Sequence, residues 1–518
     1  MSRTRPHILF IVLDTLRRDH LSAYGYPRET SPELQAFAAQ AAQFERAVAP
    51  AQWTIPSHAS MFTGLYPSTH GLTQASGVLT GAYPALAELL RGAGYHTAAF
   101  CNNPLVGVLN NGLQRGFDRF YNYASAAPFR PVEARRSRVQ RETLRLFRRY
   151  VARPLGNQFA QSDFLFRASL NPALVPLWTR LINYKGHTGH SVDDLIAYWD
   201  QHTDSASERP LFAFLNLMGA HLPYNPPQDA LDRLSPEVRR DRAAYAFVRR
   251  FNTEGERWAS PTDPPLADWE RAALDHFYDA EIAHQDAHLG RLLRHLKARG
   301  VLENTLVIIC ADHGEGHGDH GFFGHGFVTY QELVHVPLIV RYPEQYPVGG
   351  RVTATVSTRR LFHSVLDAAG VPFAEEDDPT ATARALSLAN ETSGLDPEGG
   401  VALSEAFPPL TFLNVVQHRA PALIERLRLS LVRRALYAGG HKLTAIDGQV
   451  EGLFDVGADP TESHDLSAAD PARAADLLRM LDQRVTAAAG RHADGEAAQA
   501  AAPDQAVIDH LRALGYIE

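Results

Sequence analysis

Two short runs of the sequence hold a hydroxyl able to act as a nucleophile and the side chains able to activate it. The first is Trp53-Thr54-Ile55-Pro56-Ser57-His58-Ala59-Ser60. A threonine hydroxyl is a poor nucleophile at neutral pH unless a base or a metal lowers its pKa. At the start of an apparent helix, backbone N–H groups and the helix dipole favour an anion in front of it. The competing reading is a threonine whose hydroxyl caps its own helix. The second run, from Asp312 to His325, places four histidines and three acidic residues in fourteen positions punctuated by glycine. Glycines let a backbone fold tightly around a bound ion. A solvated polar loop is the bland alternative, but this run begins where the apolar segment TLVIIC ends. It reads as a source of carboxylate and imidazole ligands for a cation.

These side chains need a frame, and the apolar pattern supplies one. Strand-length runs occupy His7–Leu13, residues 97–101, Leu211–Leu217, Thr305–Cys310 and residues 336–340. They are continuous rather than alternating, as expected of strands buried on both faces of a largely parallel sheet. Helical patterns fill the intervals at residues 31–43, 85–93 and 269–299, the last closing on Gly300. The fold class is therefore α/β, a doubly wound, largely parallel sheet flanked by helices. Ligands bind such sheets at the C-terminal ends of the strands. Asp14 follows the first strand, His221 lies just beyond LFAFLNL, and Asp312 follows TLVIIC. Three strand ends thus offer ligand-type or acid–base side chains to one crevice.

At 518 residues the chain is long for a single core. Residues 1–375 read as the main α/β domain, with an insertion at about 127–190. Residues 376–400 read as a linker rich in small and polar residues. Residues 401–518 read as a smaller C-terminal α+β subdomain with short antiparallel strands, a helix at 471–488 and a last short helix, IDHLRALGY. The insertion begins strongly basic, with nine arginines against two glutamates over residues 130–153. A solvated helix face is the plain reading; a lid over an anionic substrate or a peripheral patch on anionic lipid are the functional ones.

Apolar residues make up 45% of the chain and charged residues 21%, as in ordinary globular proteins, and the net charge is −8. That charge gives no reason to expect a nucleic-acid partner. Two cysteines, Cys101 and Cys310, lie in strand-like runs and read as buried free thiols. The N-terminal apolar run stops at Asp14, short of a secretory signal, and no stretch reaches the ~20 apolar residues of a membrane span. A cytoplasmic location is the expectation.

Eight segments then resemble, in order, the motifs of the sulfatase branch of the alkaline phosphatase superfamily. They are LDTLRRDHLSAYGY, TIPSHASMFTGLYPSTHG, GYHTAAF, AHLPYNPP, YDAEIAHQDAHLGRLL, NTLVIICADHGEGHGDHG, VPLIVRYP and LFDVGADPTESHDL. The resemblance covers nearly the whole chain and implies an alkaline-phosphatase-like fold. It implies that Asp14, Asp312 and His313, together with Thr54, bind one divalent cation, and that Thr54 is the nucleophile. It gives His221 a role in contacting the substrate anion or protonating the leaving group. His325, thirteen residues after Asp312, stands where sulfatases carry a lysine and phosphoethanolamine transferases a histidine. His58 and Asn102 stand where the family carries an arginine and a lysine, and so are candidate substrate-binding residues.

The departures bear on the substrate. Sulfatases carry cysteine or serine before x-Pro-Ser-Arg and oxidise it to formylglycine. Threonine cannot give that aldehyde, because its β-carbon bears a methyl group, so no formylglycine is expected. The family's usual second aspartate is Thr15, and positive charge at the site falls relative to a sulfatase. The chain therefore resembles the unmodified-threonine branch, which includes phosphonate monoester hydrolases, phosphodiesterases and phosphoethanolamine-transferase catalytic domains. The expectation is a hydrolase of small anionic esters of phosphate type (phosphodiester, phosphonate or phosphate monoester) or of sulfate esters, working through a covalent Thr54 intermediate. The cation is Mn²⁺, Zn²⁺, Mg²⁺ or Ca²⁺, which a mixed oxygen and nitrogen site does not distinguish. Alternatives are a phospho- or sulfo-group transferase to an alcohol or sugar, sulfatase activity without formylglycine, and a catalytically inactive binding protein.

Overall fold

The computed structural model describes residues 5–124, 185–203, 209–253, 265–373 and 382–493. The arginine-rich stretch at 130–153, nearly all of the expected insertion and the IDHLRALGY segment lie outside them. The strands are β1 His7–Leu13, β2 Ala42–Val48, β3 His96–Cys101, β4 Arg119–Asn122, β5 Leu211–Leu217, β6 Thr305–Cys310, β7 Gly316–His317 and β8 Phe323–Gly324. They continue with β9 His335–Arg341, β10 Arg351–Ser357, β11 Ala402–Ala406, β12 Arg433–Ala438, β13 His441–Ile446 and β14 Gln449–Asp455.

Eight strands form one sheet in the order β10-β2-β9-β6-β1-β5-β3-β4. Only β9 runs against its neighbours, β2 and β6; the other pairings are parallel. The central strands β1, β5 and β6 are buried almost throughout, as their continuous apolar runs require. Helices Leu86–Gly92, Thr188–Thr203, Asp268–Ala298 and Leu361–Ala368 supply apolar side chains to the same core. The sheet and helices match the α/β architecture expected from the sequence.

The helix expected over residues 31–43 is shorter. It runs Pro32–Ala38, and the chain turns at once into β2, which pairs with β10 and β9. Ala42 and Phe44 fit either pattern locally; the sheet on both sides decides for the strand. Residues 376–400 also differ from a plain linker. Their described part carries a 3-10 helix, Leu388–Ser393, whose Leu388 is fully buried in the main core. Buried Arg360 holds this segment, pairing with Glu391 at 2.6 Å and donating to the carbonyl of Leu386 at 2.9 Å.

The C-terminal unit is a four-stranded antiparallel sheet, β11-β12-β13-β14, as its short strands suggested. The helix Pro471–Ala493 packs on it through Ala474, Leu477 and Leu481. It joins the main domain through a bridge between Ala51 and Glu405. Among the described residues, no helix is long and apolar enough to cross a membrane.

Candidate active site

Sheet order explains the convergence of the candidate residues. β1 lies between β6 and β5, so the residues that follow these three strands emerge side by side. Asp14 continues the pairing of β1, its N–H donating to Leu217 at 2.9 Å. The next residue, Thr15, takes a left-handed conformation with φ 56° that few non-glycine residues adopt. Its N–H reaches Asp312 Oδ1 at 3.3 Å, and its carbonyl accepts from the Tyr278 hydroxyl at 2.7 Å. The turn after β1 is thereby tied both to the Asp312 loop and to the long helix Asp268–Ala298.

Asp14, Asp312 and His313 are fully buried, and their candidate ligand atoms lie within 4.8 Å of one another. Asp14 Oδ2 accepts from Asn103 Nδ2 at 2.6 Å and Asn216 Nδ2 at 3.2 Å, while Oδ1 has no hydrogen bond. Asp312 Oδ1 accepts from the N–H groups of Thr15 and His313, while Oδ2 has no hydrogen bond. His313 Nδ1 donates to the carbonyl of Gly314 at 2.8 Å, which fixes the tautomer and leaves Nε2 as the lone-pair atom. Gly314 is required there, since a Cβ would lie 1.9 Å from the Glu332 carbonyl oxygen.

Two buried carboxylates this close cannot both ionise cheaply. Burial and the charge of Asp14 push the Asp312 carboxyl well above the ordinary range. Burial also raises Asp14, but His221, His313 and His58, with the Asn103 hydrogen bond, bring it below its usual value. Two orphaned carboxylate oxygens and one imidazole lone pair, all out of water, fit a divalent cation. An unpaired buried charge is otherwise very costly.

Thr54 is the first residue of the helix Thr54–Thr63 and is buried. Its Oγ1 lies 3.3 Å from His313 Nε2 and 3.5 Å from Asn103 Nδ2. The helix N-cap is Trp53, in extended conformation and without a side-chain cap bond, so the Thr54 hydroxyl is not spent on capping. The helix is pinned from below: Ser57 Oγ donates to the Asp312 carbonyl at 2.7 Å. His58 Nδ1 donates to the Thr54 carbonyl at 2.9 Å and lies 3.5 Å from Asp312 Oδ2.

His221 and His325 meet at the mouth of this cluster. Their ring centroids are 5.3 Å apart, and His325 lies 4.5 Å from His313. His221 Nδ1 donates to the Leu222 carbonyl, and burial lowers its pKa. Burial opposes charge on His325 too, but Glu315 Oε1, 2.8 Å from Nδ1, outweighs it and raises the imidazole above its ordinary value.

The structure therefore brings together Asp14, Thr54, Asp312, His313, His221 and His325. His58 is fully buried behind them, its ring against Phe62 and Phe214 and its Nε2 3.4 Å from Asn216 Nδ2. Asn102 is engaged elsewhere, with Oδ1 accepting from Ser191 at 2.5 Å. The neighbouring Asn103 instead reaches Asp14 and Thr54, and its Oδ1 caps the turn Pro104–Gly107. Asn103 and Asn216 join the cluster without standing out in the sequence, while Glu315, one of the three acids of the second run, supports His325. A polar side chain inside the apolar run LFAFLNL was the available signal for Asn216. Arg17 is held by Asp19 and Asp319 at 2.7 Å each, so Asp19 helps to shape the first loop.

The sulfatase family model matches residues 6–371. An ulvan-active sulfatase of Formosa agariphila is 25% identical over 367 residues, covering 70% of this chain and 61% of that protein. The chain thus spans about three-fifths of that relative's length. An arylsulfatase of Clostridium perfringens is 23% identical, covering 71% of this chain and 75% of that protein. The crystal structure of the phosphonate monoester hydrolase of Agrobacterium radiobacter superposes with a TM-score of 0.61 at 20% identity, covering 96% of this chain and 99% of that one. With the fold, the ordered motifs and a family match over most of its length, the chain belongs to the sulfatase family.

Proposed function

We propose that this protein hydrolyses a small anionic ester of phosphate type, with Thr54 as nucleophile and a covalent phospho-threonine intermediate. The observation that carries the reading is Thr54 Oγ1 at 3.3 Å from His313 Nε2, beside two buried carboxylate oxygens that have no hydrogen bond. A cation held by Asp14, Asp312 and His313 would supply the positive charge that lowers the pKa of the Thr54 hydroxyl and offsets charge developing on the ester. Thr54 Oγ1 releases its proton to solvent and forms the bond to phosphorus, and the bond to the leaving oxygen breaks. His325, held by Glu315, gives that oxygen a proton; His221, facing it, takes one from the water that then cleaves the phospho-threonine. The positive end of the helix dipole at Thr54 would favour the anionic ester.

The unmodified threonine and the likeness to a phosphonate monoester hydrolase support phosphorus. The names of the two sulfatase relatives support sulfate esters as the competing substrate class. The test is turnover of p-nitrophenyl phosphate, bis-phosphate, phenylphosphonate and sulfate with each of Mn²⁺, Zn²⁺, Mg²⁺ and Ca²⁺. Phosphate-type turnover lost in Thr54→Ala, with a phosphorylated Thr54 peptide seen by mass spectrometry, is the expected result. Sulfate turned over fastest and unaffected by Thr54→Ala would sink the proposal. A cytoplasmic location belongs to the same proposal, and cell fractionation tests it.

A further inference from the structure

We propose a second cation site, for a zinc-like divalent ion, built from His20, Asp275 and His317. Candidate ligand atoms of these residues lie within 4.8 Å of one another. They arrive from separate segments: the 3-10 turn Arg18–His20, the helix Asp268–Ala298 and β7. None of them belongs to the Asp14–Asp312–His313 cluster.

Each imidazole is held from behind. His20 Nδ1 lies 2.7 Å from Asp279 Oδ1, and Asp279 is itself fixed by the Tyr26 hydroxyl and Arg28. His317 Nε2 lies 2.9 Å from the Tyr224 hydroxyl. That leaves His20 Nε2, and His317 Nδ1 with the Asp275 carboxylate 2.9 Å from it, as the donors open to an ion. A carboxylate or hydroxyl behind a ring nitrogen sets the tautomer and orientation of metal-bound histidines. Two imidazoles and one carboxylate, with coordination positions left for water, suit Zn²⁺ better than the all-oxygen sets of Ca²⁺ or Mg²⁺. Both histidines are buried, while the Asp275 side chain is 27% exposed and gives an ion a way in. A bound ion would staple the turn after β1 and the glycine-rich loop to the long helix.

The alternative is a closed hydrogen-bond network with no ion, and counting ions separates the two. The 518-residue protein stripped with chelator is dialysed against Zn²⁺, and bound metal is measured by elemental analysis. His20→Asn keeps the contact to Asp279 but removes the Nε2 donor; Asp275→Asn changes a partly exposed side chain and leaves the histidines in place. Each variant should bind one ion fewer than the wild type. Asp312→Asn should also lose one, and Asp275→Asn/Asp312→Asn two. An Asp275→Asn variant that keeps the wild-type count overturns the proposal, as does a folded His20→Asn variant that does. The catalytic cation is read separately from Asp312→Asn, so its failure leaves the difference at Asp275 intact.

Discussion

Two buried charge clusters of this molecule are built on opposite plans. Around Arg360, one cation is met by Glu391 at 2.6 Å and by the carbonyls of Leu386 and Ser387, all supplied by a single neighbouring segment. Around Asp14 and Asp312, two carboxylates share a pocket with neutral donors and histidines, and one oxygen of each has no hydrogen bond. The first is balanced by the chain itself and fastens the segment of 382–400 to the core. The second is balanced only when something is added. Burial alone therefore does not single out a candidate cation site; two open carboxylate oxygens grouped with an imidazole lone pair do.

The largest effect that would test this contrast is on turnover. Asp312→Asn should lower phosphate-ester hydrolysis by about a thousandfold or more, ~4 kcal/mol of barrier, because it removes a proposed cation ligand. A variant within tenfold of wild type would erase the distinction between the clusters. Next, Arg360→Met should destabilise the fold by ~3–5 kcal/mol, the usual cost of leaving a buried partner charge alone. Urea denaturation in chelator measures it, and there Asp312→Asn should be no less stable than wild type, since it relieves the repulsion with Asp14. Third, the active cation at about a hundred times its Kd should stabilise wild type by ~2.7 kcal/mol, and Asp312→Asn by clearly less. Equal shifts in thermal melting would show that the ion binds elsewhere.

A third buried carboxylate, Asp286, refines the comparison and should show the smallest effect. It accepts the N–H groups of Glu33 and Leu34 at the start of the helix Pro32–Ala38, and burial raises its pKa from 3.8 to about 6. Because the folded value lies above the unfolded one, its contribution is full below pH 3.8 and is lost as the pH rises through about 6. Unfolding free energy measured across that window should carry this downward component, and Asp286→Asn should flatten it.

Much of the centre was legible because it rests on local patterns. The apolar runs of β1, β5 and β6 end at or near the residues that matter, and the glycine-punctuated run after β6 announces its ligands. The rest depends on contacts between distant segments. Asn216 lies within an apolar strand, and only the placement of β5 beside β1 turns it toward Asp14. Asn103 was overlooked for Asn102 because one position along the chain reverses which side chain meets the carboxylates. β2 continued a helical pattern, and only its pairing with β9 and β10 makes it a strand. The composition of residues 376–400 suggested a linker, since nothing local reveals that Arg360 would hold it.

The turn into the helix Thr54–Thr63 is fixed by residues other than Thr54. Ser57 anchors it to Asp312, His58 grips the Thr54 carbonyl, and Trp53 supplies the extended entry. Position 54 is consequently a socket whose seating does not depend on the tool it carries. Serine or cysteine there would sit at the same depth, so the side chain at this position can change without rebuilding the fold around it.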